Sequence, residues 1–119
     1  MKHHTISFKN AFNGLFYALK SQPNYKVHLF FSILAVGAGI ALKISYFEFI
    51  IIILLIFIGL TIETINTTIE AATDAIDTSW REDIKIAKDV SGAAMLIFAI
   101  GSIIISAIIF IPKIIFLKI

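Results

Sequence analysis

The 119-residue chain contains no cysteine, which excludes a disulfide framework, a thiolate metal site and thiol catalysis. It is also poor in charge. Only 15% of residues are Asp, Glu, Lys or Arg and 59% are hydrophobic, against roughly 25% and 45–50% in soluble domains. Lipid, rather than water, is therefore the expected solvent for a single small domain over 1–119. A net charge of +2, with Lys and Arg at segment ends, supplies too little phosphate neutralisation for a nucleic-acid partner. Residues 1–10 have positive charge but no apolar run behind them and no small-residue cleavage site, so the N-terminus is expected to be retained.

What is present is hydrophobic periodicity and length. Phe8, Ala11, Phe12, Leu15 and Leu19 recur at helical spacing, with Lys9, Asn10, Asn13 and Lys20 on the other side, which predicts an amphipathic surface helix over 7–21. Pro23 lacks an amide donor and disfavours helix at the residue before it, so the chain turns there. Apolar stretches follow at 29–42, 49–62 and 90–111, the last free of charge. With their flanks they predict spans at 27–43, 46–76 and 86–117, an all-α membrane protein whose first two spans form a hairpin across Lys43-Ile44-Ser45. Lys2, Lys9, Lys20, Lys26, Arg81, Lys85 and Lys88 fall on one side of that topology, and Lys43, Lys113 and Lys118 on the other. This bias predicts a cytoplasmic N-terminus, with the loop after span two also in the cytosol.

The second apolar run passes without a break into Glu63, Asn66, Glu70, Asp74 and Asp77. At about 100° per residue, all five fall within a sector about 80° wide on one helix face. About 20 residues of helix use up a hydrocarbon core of roughly 30 Å, which places Glu63 and Asn66 at the membrane boundary. A carboxylate at that depth is costly unless paired, protonated or bound to a cation. Glu70 and Asp74 lie farther out and, taken alone, fit a solvated helix face equally well. The whole stripe favours chemistry, and its oxygen donors suit Mg²⁺ completed by water and phosphate oxygens.

Other polar residues carry weaker signals. Lys88 either neutralises phosphate or anchors span three by snorkelling. Trp80 beside Arg81 is either an interface anchor or a nucleotide contact. The small run Ser91, Gly92, Ala93 and Ala94 fits close helix packing, as do Ala35, Gly39 and Gly101. His28 reads as an interfacial imidazole bonded to headgroups, and His3 with His4 as part of a flexible end. There is no Gly-x4-Gly-Lys-Ser/Thr run, so any nucleotide is held by carboxylate-bound metal and scattered basic groups.

ETINTTIEAATD (63–74) followed by IAKDVSGAAML (86–96) strongly resembles the signature of the small bacterial diacylglycerol kinase and undecaprenol kinase family. SFKNAFNGL (7–15) and NYKVHL (24–29) are similar to that family's surface helix and first-span entry, so the likeness covers nearly the whole chain. The resemblance implies a homotrimer of three-span subunits in the bacterial plasma membrane that phosphorylates a lipid alcohol with ATP and Mg²⁺. It implies Glu63 as general base, supported by Asn66, and Glu70 as a metal ligand. It further implies Asp74 as another acidic member of the site, with Lys88 and Asp89 at the nucleotide.

Two positions depart from the pattern. Gln22 stands where the family commonly has a second metal-binding Glu, and offers a carbonyl oxygen without charge. Trp80 and Arg81 replace a usual Tyr-His pair, keeping aromatic and basic character. NYKVHL is closer to the polyprenol branch than to the diacylglycerol branch, which makes undecaprenol the first expected acceptor and diacylglycerol the second. A non-catalytic membrane protein, metal-binding or degenerate at Gln22, is the reading from a different class.

Overall fold

The computed structural model describes residues 7–118; His3 and His4 lie outside them. Four helices account for nearly all of this length: α1 (Phe8–Ser21), α2 (Pro23–Ala41), α3 (Tyr46–Ile76) and α4 (Glu82–Lys118). Three of them, α2, α3 and α4, are long and apolar enough to cross a membrane.

Local chemistry sets the boundaries. The Ser7 hydroxyl accepts the Asn10 amide at 3.4 Å and starts α1. Gln22 has extended backbone and is both the C-cap of α1 and the N-cap of α2, with Pro23 in the first position of the new helix, where its missing N–H costs nothing. The turn is therefore a single residue, and α2 begins at Pro23, four residues before the predicted span at 27–43. Ala18 is the buried contact of α1, whereas Phe8, Phe12 and Phe16 stay exposed, as suits a helix lying against lipid.

The α2–α3 hairpin turns tightly. Lys43 adopts a left-handed conformation (φ 54°), and Ser45 and Glu48 form a reciprocal capping box at the start of α3. A Cβ on Gly39 would lie 2.9 Å from Ile44 Cδ1 and 3.0 Å from Phe49 Cε1, so the absent side chain admits those two residues. Ile44, Ile52 and Ile109 form the small core at this end of the bundle. Glu48 also meets Lys113 at 3.4 Å, tying α3 to α4 beside Pro112, which interrupts the α4 hydrogen-bond ladder.

The 31-residue α3 is the central element, packed by α2 and by α4, which share no comparable interface with each other. At about 1.5 Å per residue it is some 45 Å long, more than a hydrocarbon core of about 30 Å. The polar end of the same helix therefore projects beyond the apolar layer. That projection carries the acidic stripe.

Candidate active site

Five threonines in the second half of α3 could be expected to weaken the helix, because β-branched side chains lose rotamer freedom. Each instead donates its hydroxyl back to a carbonyl one turn earlier: Thr61 to Phe57 (2.8 Å), Thr64 to Leu60 (2.7 Å), Thr67 to Glu63 (3.0 Å), Thr68 to Thr64 (3.0 Å) and Thr73 to Ile69 (2.9 Å). Their polar groups are satisfied within the helix, and α3 runs on to Ile76. Glu63, Asn66, Glu70 and Asp74 are consequently held on one rigid face.

Glu63 is 1% exposed, and neither carboxylate oxygen has a hydrogen-bond partner among the described residues. An ionised carboxylate buried alone carries a penalty of several kcal/mol, which marks the position as one awaiting a proton, a cation or a hydroxyl donor. It lines a groove of about 450 Å³ whose other walls include Asn24 and His28 from α2 and Met95 and Phe98 from α4. The groove is mainly apolar, with Glu63 as its acidic end.

Asn66 carries the stripe outward. Its Nδ2 donates to Glu70 Oε1 at 3.3 Å, and its Oδ1 accepts the Ser91 hydroxyl of α4 at 2.5 Å. Because the Glu70 carboxylate only accepts, the amide nitrogen faces Glu70 and the oxygen is left to take the Ser91 hydroxyl. Glu63 and Glu70 are separated by about 10 Å of helix rise, which divides the face into an acidic position beside the groove and another nearer the helix end. Hard-cation sites for Mg²⁺ need one or two carboxylates, completed by water and phosphate oxygens. Glu70 fits that donor set, although among the described residues no three His, Cys, Asp or Glu side chains cluster.

At the far end of the stripe, Asp74 pairs with Lys88 at 2.7 Å, joining α3 to α4 across the loop. Asp89 is held by Lys85 at 2.7 Å, and Arg81 by Asp83 at 2.7 Å with Asp77 at 3.9 Å. Trp80 projects into the surroundings, 75% exposed. Gln22 is half-buried at the α1–α2 joint, its backbone N–H on Ala18 and its carbonyl accepting Tyr25 N–H; no side-chain hydrogen bond joins it to Glu70 among the described residues.

Asp77 leaves the face on which its spacing puts it. α3 ends at Ile76, and Asp77 is extended (φ −165°) so that its carboxylate accepts the Ser79 hydroxyl at 2.7 Å and the Ser79 amide at 2.8 Å. This short-range turn displaces a further turn of helix. The two Ser79 donors hold the Asp77 carboxyl below its usual range.

Ser91 and His28 matter more than their sequence context suggests. Ser91 sits in a small-residue run that reads as packing, yet it is buried and bonded to Asn66. Its place three residues after Lys88, on the same α4 face, is the available sequence signal. His28, read as an interfacial imidazole, is half-buried with Nε2 3.3 Å from the Ile56 carbonyl and its ring 5.7 Å from that of Phe98. Since a carbonyl only accepts, Nε2 carries the proton.

Comparison with known proteins adds an independent line. Residues 9–110 match the family model described as prokaryotic diacylglycerol kinase. A protein of Synechocystis sp. named diacylglycerol kinase is 28% identical over 115 residues, covering 96% of this chain and 66% of its own length. A Bacillus subtilis protein named undecaprenol kinase is 33% identical over 107 residues, covering 90% of this chain and 87% of its own.

Proposed function

The chain belongs to the prokaryotic diacylglycerol kinase family, a family of membrane lipid kinases, and we propose that it transfers the γ-phosphoryl group of ATP to undecaprenol with the help of Mg²⁺. The observation that carries this reading is the unpartnered, buried Glu63 carboxylate at the end of an apolar groove, on the helix face that also bears Glu70. A long-chain alcohol in the bilayer presents its hydroxyl at headgroup depth, and Glu63 accepts the proton that the hydroxyl loses as it attacks phosphorus. Undecaprenol is preferred to diacylglycerol because NYKVHL resembles the polyprenol branch and identity is higher to the relative named for that substrate.

The chain's own residues position both partners. Asn66, fixed by Ser91, orients Glu70, which with the Gln22 carbonyl oxygen would hold Mg²⁺; the ion would neutralise phosphate charge when bound. Lys88, Asp89, Asp74, Trp80 and Arg81 surround the nucleotide, with Lys88 exchanging its Asp74 partner for phosphate oxygens. The positive-inside bias supports a cytosolic N-terminus and loop, on the side where ATP is found. One subunit's helices leave two substrates incompletely enclosed, which supports assembly of several subunits; the homotrimer and the bacterial plasma membrane rest on the family resemblance.

The test is direct. Purified protein in mixed micelles, given labelled ATP, Mg²⁺ and either undecaprenol or diacylglycerol, is expected to label undecaprenol with the higher kcat/KM. Faster labelling of diacylglycerol would reassign the acceptor, and label on neither lipid would overturn the kinase reading.

A further inference from the structure

The charges of this chain are segregated. No Asp or Glu precedes Glu48, so α1 and α2 carry Lys9, Lys20 and Lys26 and no acidic group. The segment from Asp74 to Asp89 is the reverse, with five carboxylates against Arg81, Lys85 and Lys88. Each of those three cations has an ion-pair partner, whereas Lys9, Lys20 and Lys26 have none among the described residues.

α1 sorts its side chains into three sectors. At about 100° per residue, Phe8, Phe12, Leu15, Phe16 and Leu19 fall within a sector about 100° wide. Ala11 and Ala18 lie on one flank of it, toward α3, where they line a groove with Thr64 and Thr67. Lys9 and Lys20 lie on the other flank, within about 20° of each other around the helix and about 16 Å apart along its axis. Phe8, Phe12, Phe16 and both lysines are exposed. The helix thus meets the bundle by its small side and leaves uncovered an apolar face bordered by two cations.

Those two properties select the cover. An apolar helix face enters the acyl boundary of a bilayer, which sets a bordering lysine at the depth of the headgroups. A lysine close to an anionic lipid surface is worth about fivefold in affinity. At about 16 Å the two lysines cannot share one singly charged phosphate, so each needs its own. A zwitterionic headgroup has no net charge to offer them.

We propose that α1 is a docking surface for anionic phospholipids, with Lys9 and Lys20 each meeting a headgroup phosphate while the phenylalanines enter the acyl layer. The surface concentrates negatively charged lipid along one edge of the protein, and neither lysine belongs to the acidic face of α3 or to the α3–α4 loop.

The chain has no cysteine, so Asn13→Cys offers a single labelling point beside both lysines. A bimane is attached there and the full chain is placed in phosphatidylcholine bilayers. In about 20 mM salt, doxyl-labelled phosphatidylglycerol is expected to quench the bimane with an affinity about fivefold or more above that of doxyl-labelled phosphatidylcholine. In about 0.5 M salt the two lipids should become equal, because the lysines are screened. Lys9→Gln with Lys20→Gln should remove the preference, Lys9→Arg with Lys20→Arg should keep it, and Lys43→Gln, at the far end of α2, should leave it unchanged. Equal quenching by both lipids at low salt overturns the proposal, and so does a preference that survives the double glutamine variant. Quenching by neither lipid overturns it as well, because protein, such as a second copy of the chain, would then cover this edge. If the double variant does not fold, judged by circular dichroism, the two single variants supply the comparison with smaller losses. The measurement involves no phosphoryl transfer, so its outcome is separate from that of the kinase reading.

Discussion

The Ser91 hydroxyl on α4 and the Asn66 side-chain oxygen on α3 meet at 2.5 Å, one of two bonds that hold the Asn66 amide. The other runs from its nitrogen to Glu70 at 3.3 Å and sets the orientation, because a carboxylate only accepts. Ser91→Ala releases the oxygen end of the amide. Turnover is expected to fall several-fold with the KM for the lipid alcohol unchanged, and stability by about 1 kcal/mol, the usual net worth of such a bond. Kinetics and thermal unfolding in detergent check both; Ser91→Thr, which keeps the hydroxyl, is expected to retain turnover.

Glu63→Gln removes the proposed base. The kcat is expected to drop by about 10²–10⁴, the usual contribution of a positioned proton acceptor. Stability should stay level or rise, since an unpartnered buried carboxylate is replaced by a neutral group of the same shape. A variant with wild-type kcat in the undecaprenol assay would remove Glu63 from the base role.

Glu70 and Gln22 bear on the cation. Glu70→Gln is expected to raise the Mg²⁺ concentration that gives half-maximal rate, and Gln22→Glu to lower it by adding a charged oxygen ligand. The check is a Mg²⁺ titration of initial rate at saturating ATP. A Gln22→Glu protein with an unshifted titration would show that position 22 does not reach the ion.

Lys88→Met leaves Asp74 without its partner at 2.7 Å. The pair is exposed, so stability should change by no more than about 1 kcal/mol. The KM for ATP should rise tenfold or more if Lys88 meets phosphate. Equal KM values would leave Lys88 as a membrane-edge anchor.

Asp77 makes the α3–α4 turn sensitive to acid. Its folded pKa is depressed by the Ser79 hydroxyl and amide, so its contribution to the turn is complete above the unfolded value of 3.8 and disappears as pH falls through the lower folded value. Amide exchange at Ser79, followed down that interval, should lose protection. Asp77→Asn should exchange faster at neutral pH and lose that acid step.

Much of the fold was legible because membrane solvent leaves the sequence few choices. Long apolar runs must be helical so that their backbone groups are bonded internally, and Pro23 and Ser45 mark helix starts by local chemistry. The alignment of Glu63, Asn66, Glu70 and Asp74 follows from helical geometry alone. Asp77 did not follow, because the competing bonds to Ser79 depend on how the chain leaves α3. The surroundings of His28 are hidden for a related reason: its partners, the Ile56 carbonyl and the Phe98 ring, come from other helices.

The sequence by itself therefore determined the solvent, the helices and the acidic face, since each depends on composition or on spacing along a single helix. Only the tertiary structure decided that Glu63 is buried without a partner among the described residues, that Ser91 bonds Asn66 across two helices, and that Gly59 seats the rings of His28 and Phe98. These depend on the approach of α2 and α4 to α3, and contacts between helices separated by tens of residues leave no periodic trace along the chain.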